Sequence, residues 1–265
     1  MTVAILGAGV MGETLLSGLL RSGWRNGDLL ITDRRPERRT ELVERYGVDA
    51  VTNEAAAARA DTLVLVVKPQ DMAALLAEIE PHVTADRLVV SLAAGVTTAA
   101  IEDRLVDGVA VVRVMPNTAA LVDEGMAAVA GGTHATDEQV EIAASFLRST
   151  GRVLRVPESQ LDAVTAISGS GPAYIFFVVE AMIEAGVHLG LPRTTATELV
   201  VQTLVGSAKL LRETGQHPVV LREQVTSPAG TTAAAVRELE AHRVRAAFLT
   251  AMEAARDRSR ALAQG

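Results

Sequence analysis

The chain has 265 residues, of which 25 are basic and 32 acidic, so its formal net charge is −7. It contains no cysteine, which excludes disulfide scaffolds, cysteine nucleophiles and thiolate metal centres. The acidic balance argues against a general nucleic-acid binder. Because 49% of the residues are hydrophobic, the chain can bury enough surface to fold. The catalytic chemistry must therefore come from other side chains or from a cofactor.

The first half of the chain alternates short apolar runs with alanine-rich segments. The runs, which we predict to be strands, cover residues 3–6, 29–32, 63–67, 88–92, 109–114, 127–130 and 153–156. Most of them are continuously apolar, which is typical of parallel strands covered by helices on both faces. The order predicts βαβ units in a Rossmann-like doubly wound sheet.

A glycine-rich turn follows the first predicted strand and opens a helix, with the sequence Gly7-Ala8-Gly9-Val10-Met11-Gly12. Gly7 permits a tight turn, Gly9 allows the backbone to approach a pyrophosphate, and Gly12 allows close helix–strand packing. The phosphates would lie at the positive end of the helix. This spacing predicts a dinucleotide site, and the alternative is an ordinary glycine-rich turn.

The second predicted strand ends at Asp33-Arg34-Arg35, where the adenosine ribose of a dinucleotide would lie. A carboxylate here accepts hydrogen bonds from the ribose hydroxyls of NAD, whereas arginines bind the 2′-phosphate of NADP. Two guanidinium groups outnumber one carboxylate, so NADP(H) is favoured and NAD(H) remains possible. The alternative for these arginines, and for Arg38 and Arg39, is a solvated helix start in which they pair with Glu37 and Glu41.

Three later strand ends carry small or polar residues that favour a ligand crevice. They are Val67-Lys68-Pro69-Gln70, Ser91-Leu92-Ala93-Ala94-Gly95 and Met115-Pro116-Asn117-Thr118. In doubly wound folds ligands bind at the carboxyl ends of the strands. Each segment alone is also compatible with an ordinary loop, because proline, glycine and asparagine are turn residues.

The second half of the chain shows helical patterns and no convincing strand. We predict helices over residues 174–189, 194–214, 218–224 and 232–262, and we divide the chain into domains at residues 1–157 and 158–265. No stretch of about 18 apolar residues lacks a charge, so we expect no membrane span. The chain start lacks the basic residues of a secretion signal, and a cytoplasmic protein is expected.

Two segments of this half place glycines and several hydroxyls ahead of predicted helices. They are Ser168-Gly169-Ser170-Gly171-Pro172-Ala173-Tyr174 and Val225-Thr226-Ser227-Pro228-Ala229-Gly230-Thr231-Thr232. Exposed N–H groups together with hydroxyls can bind an anion. The alternative is helix capping by Thr231, Thr232 or Ser170.

These two segments resemble the pyrroline-5-carboxylate reductase family, and the three strand ends fit the same family in the same order. The resemblance covers essentially the whole chain. The sequence departs from the family at Ala229, where a second glycine usually follows the proline, and at Ala119, where a proline often stands. Ala229 would be strained if its position needs a positive φ. Asp33 is less usual there than a neutral residue.

The resemblance implies reduction of (S)-1-pyrroline-5-carboxylate to L-proline with NAD(P)H, the last step of proline biosynthesis. It implies a cofactor site that consists of Gly7, Ala8, Gly9, Val10, Met11, Gly12, Arg34, Arg35, Asn53, Val67, Lys68, Pro69, Ala93, Ala94, Asn117 and Gln224. The implied substrate site consists of Glu158, Ser227, Gly230, Thr231 and Thr232. Thr232 is the candidate catalytic residue, as the partner of the ring nitrogen. The helical half resembles a dimerisation domain, so we expect a homo-oligomer that is at least a dimer.

Two other functions remain open at this stage. A related two-domain dehydrogenase of β-hydroxy acids would need a lysine base in the helical half, for which Lys209 is the only candidate. A regulator that binds NADP(H) without turnover would not need the hydroxyl-rich segment before Thr232. Glu180, Glu184 and His188 are spaced by four residues and could form half of a metal site, but without a partner motif we expect no metal.

Overall fold

The computed structural model describes residues 1–263. The chain divides into two compact units, one formed by Met1–Pro172 with the chain from Ala254 onward, and one formed by Ala173–Glu253. From the sequence we predicted a domain boundary between residues 157 and 158, whereas the first compact unit continues to Pro172. The functional domain boundary stays a prediction.

The first unit contains an eight-stranded sheet. Its strands are β1 (Val3–Leu6), β2 (Leu29–Thr32), β3 (Asp49–Ala50), β4 (Thr62–Leu65), β5 (Leu88–Ser91), β6 (Ala110–Met115), β7 (Gly125–Gly131) and β8 (Gly151–Arg155). Their order is β3-β2-β1-β4-β5-β6-β7-β8. All neighbours are parallel except β6 and β7. The predicted Rossmann-like doubly wound sheet is confirmed, with β3 as an additional two-residue strand.

Helices cover both faces of this sheet because both faces of its strands are apolar. In β1, Val3 and Ile5 belong to one buried cluster, whereas Ala4 and Leu6 belong to another on the opposite face. The helices of this unit are α1 (Val10–Arg21), α2 (Pro36–Tyr46), α3 (Asn53–Arg59), α4 (Pro69–Ile79), α5 (Thr98–Glu102), α6 (Asp137–Leu147) and α7 (Leu161–Val164). A strand buried on both faces reads as a continuous apolar run, which explains why the sequence revealed these strands.

The remaining helices are α8 (Gly171–His188), α9 (Arg193–Thr214), α10 (Pro218–Gln224), α11 (Thr231–Ala241) and α12 (Val244–Ala263). The single helix predicted over residues 232–262 is wrong. It is interrupted after α11, where Arg243 adopts the left-handed region with φ +56°. A left-handed residue cannot continue a right-handed helix, so the chain turns there before α12 begins.

The stretch from Glu158 to His188 is helical over 31 residues and includes a π-helical turn at Thr165–Gly169. By length and composition alone it could cross a membrane, with a mean hydropathy of 1.4. Only 6% of its most apolar window is buried within the chain, and Phe176 and Phe177 are exposed. Because the helix also carries Glu180 and Glu184, a contact with another protein chain explains its apolar face equally well.

Candidate active site

The glycine-rich turn between β1 and α1 has two crowded positions and one open one. Gly7 has φ +101°, and a Cβ there would lie 2.6 Å from the Val66 carbonyl oxygen. A Cβ on Gly12 would collide with the backbone of Gly7, whereas a Cβ on Gly9 would meet nothing within 4 Å. Gly9 precedes α1 and provides no side-chain cap. The turn therefore leaves the positive end of α1 accessible to a phosphate, as a dinucleotide requires.

Arg38 of α2 fixes this turn from the outside. Its Nε donates to the Ala8 carbonyl oxygen at 3.0 Å, and its guanidinium also pairs with Glu13 of α1. Arg45 and Tyr46 donate to the same Glu13 carboxylate at 2.6 and 2.9 Å. Burial by itself would raise the pKa of Glu13, but these hydrogen bonds outweigh it and the pKa lies below its ordinary value. Arg38 pairs with Glu41 at 2.7 Å, as the alternative proposed, but it is only 14% exposed and therefore not solvated.

A cleft of about 450 Å³ opens beside the turn, at the carboxyl ends of β2 and β4. Seven of the predicted cofactor residues line it, namely Gly7, Gly9, Arg34, Arg35, Asn53, Val67 and Lys68. Its volume and position suit the adenosine part of a dinucleotide.

Carboxylates in this cleft engage its polar side chains. Asp33 accepts the backbone N–H and Nε of Arg35 at 3.0 and 3.1 Å. Arg34 donates to Asp71 at 2.9 Å, and the Asn53 amide donates to Glu78 at 2.9 Å. Burial raises the pKa of Asp33, but the hydrogen bonds from Arg35 outweigh it and hold the pKa below its ordinary value. Asp33 is therefore ionised near neutrality.

A second cleft, of about 280 Å³, continues along the same edge of the sheet and shares Val67 and Lys68 with the first. It is lined by Met11 of α1 and by residues at the ends of β4, β5 and β6, among them the predicted residues Pro69, Ala93 and Ala94. Together the two clefts form a groove of the kind that a dinucleotide occupies, with a polar and an apolar end.

Two predicted residues of the first unit engage other parts of the chain. The Asn117 side chain donates to the Ser168 carbonyl oxygen at 3.2 Å and accepts the N–H of Met126 at 3.0 Å. The Glu158 carboxylate accepts the N–H and the hydroxyl of Thr98 at 2.8 and 2.7 Å, and it pairs with the buried Arg113 at 3.2 Å. Both residues are thus held by the protein, and their ligand contacts stay predictions.

In the second unit, α11 begins at Thr231, after a turn whose backbone includes a left-handed residue. Ala229 adopts φ +57°, so the strain expected for an alanine at this position is present. A Cβ on Gly230 would collide with the Ser227 hydroxyl. Gly230 is the N-cap residue and provides no side-chain hydrogen bond. The capping alternative for Thr231 and Thr232 is therefore wrong, because both lie inside the helix.

The hydroxyls of this segment differ in whether they form hydrogen bonds with the protein. Thr226 donates to the Arg222 carbonyl oxygen at 2.6 Å. Within residues 1–263, the hydroxyls of Ser227, Thr231 and Thr232 form no hydrogen bond with the protein, and Thr232 is half-buried. The Gln224 amide, at the end of α10, donates to Gln216 at 3.2 Å. The start of α11 thus offers free N–H groups and free hydroxyls together.

The other hydroxyl-rich segment precedes α8, as predicted, but it is itself part of a longer helical stretch. Ser168 and Gly169 end the π-helical turn, and Ser170 lies between that turn and the start of α8. Ser170 N–H donates to the Thr165 carbonyl oxygen at 2.8 Å, and the Ser168 hydroxyl donates to the Val164 carbonyl oxygen at 3.3 Å. The Ser170 N–H and the Ser168 hydroxyl are therefore engaged within the helical stretch and do not point to an anion site.

Two alternative kinds of site were considered from the sequence, a catalytic lysine at Lys209 and a metal site at Glu180, Glu184 and His188. Lys209 lies on α9, 70% exposed, and pairs with Glu213 at 3.7 Å. In the part of the chain that the structure describes, no group of three or more His, Cys, Asp and Glu residues could hold a metal ion. Neither the lysine base of a β-hydroxy acid dehydrogenase nor a metal site at Glu180 gains support.

Sequence reasoning missed residues of α4 that line the first cleft, the one of about 450 Å³. Asp71, Ala74, Leu75 and Glu78 all do so. Their spacing of three and four places them on one helical face, and α4 begins at a predicted ligand-binding strand end. That spacing was a usable signal. No comparable sequence signal marked the role of Arg38, because its hydrogen bond to Ala8 joins residues that are distant in the sequence and meet only in the folded chain.

Comparison with known proteins gives matches over both halves of the chain. Residues 158–262 match the family model described as pyrroline-5-carboxylate reductase dimerisation. Residues 2–95 match the model described as NADP oxidoreductase coenzyme F420-dependent. A pyrroline-5-carboxylate reductase of Corynebacterium melassecola is 48% identical, with 98% of each chain covered.

Solved structures agree. A pyrroline-5-carboxylate reductase from Coxiella burnetii superposes with a TM-score of 0.92 at 37% identity, covering 98% of each chain. The Plasmodium falciparum pyrroline carboxylate reductase, solved with NADP bound, gives a TM-score of 0.89 at 28% identity, covering 99% of this chain and 98% of the other.

Proposed function

The chain belongs to the pyrroline-5-carboxylate reductase family and is an oxidoreductase of the last step of proline biosynthesis, and we propose how its residues act in that step. The reaction reduces (S)-1-pyrroline-5-carboxylate to L-proline with NAD(P)H. The observation that carries the proposal is the start of α11, where the N-cap residue Gly230 provides no side-chain hydrogen bond. Thr231 and Thr232 follow it, and within residues 1–263 their hydroxyls have no hydrogen-bond partner. A cytoplasmic location is part of the proposal.

The cofactor site is the groove in the first unit. The turn from Gly7 to Gly12 would receive the pyrophosphate, because Gly9 leaves the end of α1 open. The cleft with Arg34 and Arg35 would receive the adenosine ribose, and the apolar cleft at Ala93 and Ala94 the nicotinamide. When bound, the reduced nicotinamide supplies the hydride that the imine carbon C5 accepts. The protein then needs neither a nucleophile nor a metal for this step.

The substrate carboxylate would bind at the beginning of α11. The first N–H groups of a helix lack intrahelical partners, and the helix dipole favours an anion there. Gly230 permits the close turn and cannot cap these groups itself. Ser227 and Thr231 place further hydroxyls at this helix start, and the predicted role of Glu158 at the substrate rim rests on the family resemblance.

Thr232 is proposed to hydrogen-bond the ring nitrogen of the imine. Protonation of this nitrogen makes C5 more electrophilic, so a group that holds or relays the proton favours reduction. A threonine hydroxyl does not ionise near neutral pH, and it would therefore position a proton instead of acting as its source. Most of the rate enhancement would come from orientation, which can contribute about 7–11 kcal/mol in favourable cases.

Turnover of Thr232→Ala tests this role. We expect kcat to fall about 10- to 100-fold, which corresponds to losing one positioned hydrogen bond of about 1.4–2.7 kcal/mol. Thr232→Ser keeps the hydroxyl and is the matched control, and it should retain most of the activity. Near-normal turnover in the purified alanine variant would remove Thr232 from the mechanism, as would an equal loss in the serine variant.

NADPH is proposed as the preferred cofactor. Support comes from Arg34 and Arg35 in the ribose cleft and from the match of residues 2–95 to an NADP oxidoreductase model. Replacing both arginines by alanine should weaken NADPH binding much more than NADH binding, because only NADPH carries the 2′-phosphate. Parallel titrations measure this difference. Equal losses for both cofactors would show that the arginines only support the fold.

A second copy of this chain is the proposed partner of the helical unit. Its apolar residues are unusually exposed for a folded protein, among them Phe176, Phe177 and Leu189, and its sequence matches a dimerisation model. Burying such a surface in a homodimer removes it from water. Light scattering should give at least twice the chain mass of 27.8 kDa. A monomer at micromolar concentration would contradict the proposal.

A further inference from the structure

The ribose end of the adenosine cleft is electrically balanced. Its lining contains as many acidic as basic side chains, three of each, which are Asp33, Asp71, Glu78, Arg34, Arg35 and Lys68. A site built only for a 2′-phosphate dianion would carry an excess of positive charge. The acidic residues must therefore affect which cofactor this cleft prefers.

Asp71 differs from the other two carboxylates in what it engages. Asp33 binds Arg35 through a local turn, and Glu78 binds the neutral Asn53 amide. Asp71 instead pairs with Arg34, 37 residues away in the sequence, with 2.9 Å between the guanidinium and the carboxylate. It thus occupies an arginine that a 2′-phosphate would need.

The geometry of α4 fixes Asp71 in this position. The residue lies in the first turn of the helix, where the helix dipole stabilises a negative charge. Its N–H donates to the Lys68 carbonyl oxygen at 2.9 Å. Its side chain is 33% exposed, whereas that of Arg34 is 70% exposed. Arg34 is consequently the more exposed partner, and Asp71 is the less exposed one.

We propose that Asp71 is a specificity-determining residue that moderates the preference for NADPH and so keeps NADH usable. The proposal rests on the cofactor site described above. The 2′-phosphate of NADPH is repelled by the Asp71 carboxylate and must compete with it for Arg34. The neutral 2′-hydroxyl of NADH meets neither obstacle, so the same carboxylate leaves NADH binding nearly unchanged.

The test is Asp71→Asn, which removes the charge and keeps the shape. The Kd values for NADPH and NADH are measured by fluorescence titration of the full-length protein, and kcat/KM is measured with each cofactor. We expect the ratio of NADPH to NADH affinity to rise about fivefold at low salt. The rise should be smaller at 0.5 M salt, because salt screens the repulsion between the Asp71 carboxylate and the 2′-phosphate. Glu80→Gln, at the end of the same helix and outside the cleft lining, is the matched charge control and should leave the ratio unchanged.

A double-mutant cycle shows whether Asp71 acts through Arg34. In an Arg34→Ala background, the gain from Asp71→Asn should shrink to less than about half, because no guanidinium remains to be released. A ratio that stays within about twofold of the wild type in Asp71→Asn, or that shifts equally in Glu80→Gln, would overturn the proposal. Because binding is measured directly, this result is decided even if the imine is not turned over.

Discussion

A methyl group added at Gly9 should separate cofactor binding from folding. Gly9 has φ −67° and ψ −161°, a conformation open to any L-residue. A Cβ there would meet no protein atom within 4 Å. The free space is the proposed approach path of the pyrophosphate. Gly9→Ala should therefore leave the fold intact and obstruct the cofactor.

The expected magnitudes follow from these contacts. Displacing the pyrophosphate by one methyl group would lose one charge-assisted hydrogen bond of about 1.5–3 kcal/mol, and so weaken binding roughly 10- to 150-fold. Gly12→Ala provides the contrast, because its Cβ would lie 3.3 Å from Ile5 Cγ2 and collide with the Gly7 backbone. Such overpacking costs about 1–3 kcal/mol, which lowers the Tm of a chain this long by roughly 2–12 °C.

Two measurements on each purified variant decide the matter. Calorimetry or thermal fluorescence without cofactor gives the Tm, and titration with NADPH and NADH gives the Kd values. Gly9→Ala should keep the wild-type Tm within about 2 °C and lose affinity for both cofactors alike, since both share the pyrophosphate. A Gly9→Ala protein that binds either cofactor normally would refute the assignment of this turn. A large fall in its Tm would refute the open space seen at Gly9.

Two further changes test the turn before α11 and the contacts of α1. Ala229→Gly should stabilise the protein by about 0.5–1 kcal/mol, because relief of left-handed strain exceeds the entropy lost by glycine; an unchanged or lower Tm would contradict a left-handed Ala229. Glu13→Gln should lower stability at pH 7, because Glu13 has a pKa below its ordinary value of 4.5 in the folded protein. A carboxylate whose pKa is lowered by folding stabilises the folded protein at pH values above its ordinary pKa. This stabilisation is lost as the pH falls through the pKa of the folded state. Urea unfolding should therefore show the difference between the variant and the wild type shrinking as the pH falls below 4.5, and a difference that does not change with pH would contradict the assignment.

Local sequence was sufficient for much of the fold. Strands β1 and β2 and helix α10 have the bounds that the sequence predicted. Their apolar runs and flanking turn residues encode them locally. Strand β3 has only two residues, Asp49 and Ala50, and no apolar run marks it. It forms because β2 offers a neighbouring edge, so its signal lies in the pairing and not in its own residues.

The candidate site divides in the same way. The glycine-rich turn was recognisable because its conformation depends on residues next to one another. The turn before α11 was recognisable by its glycine and hydroxyls, and the alternative that Thr231 or Thr232 caps the helix is wrong. A threonine is an N-cap or an interior residue according to where the helix begins, and the backbone of Ala229 and Gly230 decides this.

What the sequence by itself determined is the class of chemistry: a chain without cysteine and with two lysines carries a dinucleotide turn and a hydroxyl-rich segment in the order of an imine reductase. What only the tertiary structure decided is which charges meet. Arg38 reaches Ala8, Arg34 reaches Asp71, and Glu158 reaches Arg113 across separations of 30, 37 and 45 residues. Electrostatic interactions depend on distance in space, and the folding of distant segments onto one sheet edge sets those distances.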